Sequence, residues 1–250
     1  MANRARTAAG QDARHVALLT PLAPDSEGIA IHREQALTDI AEIEGLVFRK
    51  VLFSETSLIL HLLTRERGQV HFLAKGALRG GKRKFPAADL FRHVRVMYRL
   101  GRPGALQTAR EVELVTAFDG VAAVPQHYAA ASWLARFALD NSMAEDPVPR
   151  LFVALLGALT RLGGPRLTTC RPVCLGVILT ALAEHGWLPA LDGDAALSAA
   201  VRQVLDFAAD PGAAPPALSD EAWLELRRQL AAWVSESSLR LPPGPDALGG

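Results

Sequence analysis

The sequence predicts an α+β chain in two parts, a small five-stranded β-barrel followed by an all-α domain, and three observations carry that prediction. Half of the 250 residues are apolar, enough for a sizeable buried core. Between Glu44 and Phe118 short β-like runs alternate with glycines. From His127 onward Ala and Leu take over at helical spacing.

The elements follow in order. Residues 1–43 mix Ala, Pro, Asp and Arg without sustained periodicity and read as a mobile extension, apart from a helical possibility over Arg33–Ile43. Leu46, Val47, Val51 and Leu52 open the first strand, and Ser57–Thr64, rich in Leu and Ile, is the second. Gln69–Ala74, His93–Leu100 and Leu106–Phe118 follow, punctuated by Gly68, Gly76, Gly80, Gly81, Gly101 and Gly104. Strands of this length and spacing over 44–118 have the rhythm of a small closed barrel.

After Phe118 the β signal stops. His127–Asn141 places Trp133, Leu134, Phe137 and Ala138 where they share a helix face. Leu151–Leu162 starts after Pro147 and Pro149 and ends at Gly163-Gly164-Pro165, the usual asymmetry of helix punctuation. Cys170–His185 is stopped by Gly186, and Asp194–Ala208 is a fourth helix. Ser219–Ser235 is a fifth, with Ser219 as N-cap ahead of Asp220 and Glu221, which suit the positive helix end. The helical domain is thus expected over 119–240. The remainder, 241–250, rich in Pro and Gly, reads as a disordered tail.

Two cysteines, Cys170 and Cys174, are too few for a disulfide framework, and no apolar stretch reaches the roughly 20 residues of a membrane span. The opening residues lack the apolar core of a secretory signal, so a cytoplasmic location is expected. The net charge of +1 hides an uneven distribution: nine of the 27 Lys and Arg residues fall between Lys75 and Arg102, with Asp89 the one acid among them.

Lys75, Arg79, Lys82, Arg83 and Lys84 occupy a glycine-rich stretch between the third and fourth strands, and Arg92, Arg95 and Arg99 follow. Such clustering suits phosphates, because cations that displace condensed counterions give affinity without sequence specificity. Phe72, Phe85, Phe91 and Tyr98 lie within or beside the cluster, where an aromatic on a barrel face could stack on an unpaired base. The alternative is a solvated charged loop with the aromatics in the core, above all Phe72 and Phe91. Gly76–Lys82 fits the first seven positions of a phosphate-binding loop. The eighth, which should be Ser or Thr for magnesium, is Arg83, followed by Lys84, Phe85 and Pro86 in place of an opening helix, so an ATPase is set aside.

No catalytic set assembles. His15, His32, His61, His71, His93, His127 and His185 are scattered, and no Ser or Cys nucleophile sits in a recognisable elbow. Glu111 and Glu113 share a strand face and read as an exposed strand surface. A non-enzymatic binder is expected, with no cofactor.

The order of features over 44–118 resembles the N-terminal domain of the RecO family of recombination and repair mediators. Glu44-Gly45-Leu46-Val47 opens the first strand, Ser54-Glu55-Thr56-Ser57 makes the first turn, and Leu62-Leu63-Thr64-Arg65-Glu66-Arg67-Gly68 closes the second strand. Ala74-Lys75-Gly76-Ala77 with Arg79, then Gly101-Arg102 and Leu106–Glu111, complete the pattern. The resemblance continues through Glu184-His185-Gly186-Trp187-Leu188-Pro189, which looks like the family's helix end.

The resemblance implies an OB-like barrel that binds single-stranded DNA, and duplex more weakly, through Lys75, Arg79, Lys82, Arg83, Lys84, Arg92 and Arg95. It further implies strand annealing, and loading of the RecA recombinase with RecR onto strands coated by single-strand-binding protein, at the nucleoid. The chain departs from the family in two places. Many members carry a four-cysteine zinc module after the position of Asp192, whereas here Gly193, Asp194 and Ala195 lead straight into the next helix, so no zinc is expected. The family's Arg pair early in the third helix, a site for the tail of single-strand-binding protein, is matched by Cys174-Leu175-Gly176-Val177, leaving only Arg166 and Arg171 close by. A protein-interaction adaptor and an RNA-binding OB protein remain alternatives.

Overall fold

The computed structural model describes residues 40–78, 85, 87–165, 167, 169–191 and 194–243. The expected extension up to residue 39 and the tail from 244 lie outside these residues, as do Arg79, Lys82, Arg83, Lys84, Arg166, Asp192 and Gly193.

Five strands, β1 (Ile40–Ser54), β2 (Ser57–Thr64), β3 (Gly68–Ala74), β4 (Arg92–Arg99) and β5 (Gln107–Ala117), form a sheet in the order β1-β2-β3-β5-β4 that closes when β4 returns to β1. This is the OB-like domain expected from the sequence. The seam is short and parallel, Phe72 opposite Gln107 and Leu73 opposite Thr108, and the other pairings are antiparallel. β1 bends to serve two neighbours: its first half pairs with β4, its second with β2, and Gly45 and Leu46 pair on both sides. At Gly45 a Cβ would stand 2.9 Å from the Leu63 carbonyl oxygen, so the close approach at the bend needs a residue without one.

Residues 40–43 are strand, not the end of a helix. The spacing of Ile40 and Ile43 fits either, and pairing with Val96–Arg99 decides it, burying Ile43 in the barrel while Glu42 stays outside. Alternation then sorts β1 and β2 between two cores. Val47, Leu60 and Leu62 point into the barrel with Val70, Phe72, Val94, Val96 and Tyr98. Leu46, Phe48 and Leu63 point the other way, into a core shared with the helices. Burial on both faces explains why these segments read as continuous apolar runs.

A 3-10 turn at Asp119–Ala123 leads from β5 into α1 (Pro125–Asp140), followed by α2 (Pro149–Leu162), α3 (Arg171–Glu184), α4 (Ala195–Ala209) and α5 (Asp220–Glu236). Every residue of α3 from Pro172 to Leu182 is buried, which makes it the central helix. Its one polar residue in that span, Thr180, donates to the Gly176 carbonyl at 2.7 Å. Gly176 in turn lets α4 approach, since a Cβ there would meet that of Ala208 at 2.9 Å. Ser219 caps α5 as expected, accepting from the Ala222 amide at 3.2 Å, and Asp194 caps α4 by accepting from Ala196 and Leu197.

The barrel and helices are pinned at one turn. The β2–β3 connection and the Met143–Val148 segment exchange three backbone bonds: Gln69 N–H to Met143 O at 3.0 Å, Glu145 N–H to Arg67 O at 2.9 Å, and Val148 N–H to Arg65 O at 3.1 Å. The Arg67 guanidinium grips the Glu145 carboxylate and also donates to the buried Tyr98 hydroxyl at 2.7 Å. That contact holds the Glu145 carboxyl below its usual range.

Candidate nucleic-acid interface

The end of the barrel that carries the basic segment is built from two turns. Ser54–Ser57 connects β1 to β2, and Lys75–Leu78 follows β3. They are tied together, because the Leu78 amide donates to the Thr56 carbonyl at 3.0 Å and the Gly76 amide to the Ser57 hydroxyl at 3.4 Å. Gly76 adopts φ +74°, the left-handed conformation that reverses the chain here. Ala77 is buried in the barrel core, and Phe85, Ala87 and Ala88 enter the same core before β4. The stretch between these anchors, with Arg79, Lys82, Arg83 and Lys84, lies outside the described residues.

Of the expected phosphate contacts inside the described residues, Lys75 is exposed and has no ion-pair partner among them. Arg92 and Arg95 are differently placed. Arg92 pairs with Asp119 at 2.5 Å. Arg95 sits among Glu44 at 2.7 Å, Glu42 at 3.2 Å and Glu113 at 3.7 Å, and the hydrogen bonds it donates to Glu44 raise its pKa above the ordinary arginine value. The sequence showed only Asp89 near these cations because their acid partners arrive from β1, β5 and the 3-10 turn.

The four aromatics within or beside the basic cluster, Phe72, Phe85, Phe91 and Tyr98, are all buried. None is positioned to stack on a ligand. The exposed barrel aromatic is instead Phe53, at the tip of β1, 57% exposed. Residue spacing gave no sign of it, since Leu52-Phe53 looks like the continuation of a buried strand.

On the outer face of β1, β2 and β3, Arg49 lies opposite His61, and His61 opposite His71. The two imidazoles meet with ring centroids 4.3 Å apart. Burial, then His71 and then Arg49, push the His61 pKa down to about 4, and burial followed by Arg49 lowers that of His71. Arg49 was another residue the sequence did not single out.

Arg171 opens α3, and its buried Nε has no hydrogen-bond partner among the described residues, while Arg166 lies outside them. Cys174 is fully buried and its thiol is pushed up to about 12 by burial and by Cys170, as suits a small apolar side chain. Residues 185–194 are all that separate α3 from α4. No helix among the described residues is long and apolar enough to cross a membrane.

Comparison with known proteins adds a family. The model described as Recombination protein O N terminal matches residues 39–118, the barrel. A protein of Anaeromyxobacter sp. (strain Fw109-5) named DNA repair protein RecO is 30% identical over 224 residues, covering 83% of this chain and 86% of that one. Proteins of the same name from Bifidobacterium animalis subsp. lactis and Frankia casuarinae are 34% and 32% identical over 154 residues, each covering 60% of this chain. Those two matches span 62% and 61% of the relatives' own lengths.

Proposed function

The chain belongs to the RecO family, whose curated members carry the name DNA repair protein, and on that basis we propose that it is a non-catalytic recombination mediator whose barrel binds single-stranded DNA. The observation that carries this reading is the barrel end at Lys75–Leu78, where an anchored turn leads straight into the most basic stretch of the sequence. Lys75, Arg79, Lys82, Arg83 and Lys84 supply the phosphate contacts. Arg92 and Arg95, whose charge is shared with carboxylates of the 3-10 turn and of the barrel, add less.

Binding of this kind tracks the backbone and carries little sequence preference. Annealing follows from the same chemistry without a catalytic residue: neutralising the phosphates of two strands removes the repulsion between them, and base pairing supplies the rest. Duplex binds more weakly because its bases are already stacked. With RecR, the protein would load RecA onto strands coated by single-strand-binding protein, the helices serving as the platform for protein partners. A soluble location at the nucleoid fits that role.

The test is annealing of two complementary labelled strands. The protein is expected to accelerate it at low salt and to lose the effect as salt rises, with single-stranded DNA competing better than RNA or duplex of equal length. RNA competing best would point to RNA binding, and no binding to any polyanion would leave a protein adaptor.

A further inference from the structure

Leu52 pairs with Leu58 and Ser54 with Ser57, so Phe53 is the extra residue of a β-bulge at the last turn of the hairpin. Ordinary alternation would send one of two neighbouring strand residues inward. Here Leu52 is 65% and Phe53 57% exposed, and Leu78, whose amide is bonded to the Thr56 carbonyl in the turn of the same hairpin, is 48% exposed. Bulges at barrel rims commonly re-aim side chains. The fold has buried every other described aromatic of the barrel, Phe48, Phe72, Phe85, Phe91 and Tyr98, so an exposed ring on a hairpin with two further exposed leucines at the same end is not a leftover of composition.

We infer that this hairpin tip is a stacking platform for the unpaired bases of a single strand, with Phe53 as the ring that meets a base and Leu52 and Leu78 as its apolar flanks. The inference deepens the single-strand reading above and rests on it. Charge selects the occupant. Lys75 stands exposed in the turn that carries Leu78, and the sequence continues from Leu78 through Arg79, Lys82, Arg83 and Lys84, against the single acid Glu55 on the hairpin turn. An exposed ring on a hairpin tied to the turn that carries Lys75, with four more cations following in the sequence, matches a polymer that alternates π-faces with phosphates. The bonds from Leu78 to Thr56 and from Gly76 to Ser57 hold the tip in shape before any ligand arrives, so little ordering is left for binding to supply.

The experiment measures affinity of the full chain for a dT20 oligonucleotide and for an abasic strand of equal length, which keeps the phosphates and lacks the bases. Phe53→Ala is expected to weaken dT20 binding about tenfold and leave abasic binding unchanged, a loss within the range for one stacked base. Phe53→Trp should retain dT20 affinity and add an oligonucleotide-dependent fluorescence quench absent from the wild type. Leu224→Ala, at an exposed position on α5, should change neither affinity. Equal dT20 affinity of wild type and Phe53→Ala overturns the stacking role while leaving the single-strand reading standing. An equal loss for dT20 and the abasic strand also overturns it, since the ring would then act through the shape of the hairpin or a nearby phosphate contact. Failure of the wild type to bind dT20 at all removes the single-strand reading itself.

Discussion

Three carboxylates gather on Arg95 and one on Arg92, so among the described candidate cations the one left available to an incoming phosphate is Lys75. Residue by residue, the site is therefore decided by what each charge already touches. The same holds for the imidazoles. His61 and His71 face each other beside Arg49, and a proton on either would stand against a like charge. The folded His61 titrates near 4 and the unfolded one near 6.5, so between those values the unfolded chain binds more protons. Stability is then full above about pH 6.5 and declines as the pH falls toward 4. Urea unfolding should show a lower midpoint at pH 5 than at pH 7, and His61→Asn should flatten part of that slope, by no more than about 1 kcal/mol for a half-exposed ring screened by solvent. An unchanged slope in the variant would remove His61 as a contributor.

Among the elements, the β2–β3 turn bears the most on the architecture. Gly68 sits at φ +57°, and a Cβ there would lie 2.1 Å from the Met143 carbonyl oxygen and 2.5 Å from that of Asp146. Gly68→Ala must therefore strain its own backbone and push away the segment that joins α1 to α2. A loss of about 3 kcal/mol is expected in urea unfolding, against a few tenths for a substitution at an open surface site. Strand identity was largely legible from the sequence because glycine punctuation and β-branched or aliphatic runs are local signals; β2 begins and ends where they place it. The start of β1 was not, since Ile40 and Ile43 satisfy helix and strand periods alike and only pairing with β4 separates them. The 3-10 turn at Asp119–Ala123 was missed for a similar reason: five residues are too few to set a period. The helices were found to within two residues at each end from their Ala and Leu spacing, their glycines and the Ser219 cap, while Pro125 and Pro149 open α1 and α2 two residues before the expected starts.

Across the whole molecule, a shared core joins the barrel to the helices: Leu46, Phe48, Leu63, Phe91 and Phe118 pack with residues of α1, α2 and α3. Part of this site was readable in advance, because a cluster of Lys and Arg is visible wherever it lies. Which of those cations are spoken for, and which aromatic faces outward, was not, because both depend on partners brought in from distant strands. The proposed single-strand binding depends on the basic segment after Leu78. Fluorescence anisotropy of labelled single-stranded DNA across a salt series should show affinity falling steeply with salt for the wild type. The Lys82→Glu, Arg83→Glu, Lys84→Glu variant should bind far more weakly, with a log–log salt slope smaller by about 2 if each residue neutralises one phosphate. A folded wild type that fails to bind at low salt, or a variant with unchanged affinity and slope, would contradict it.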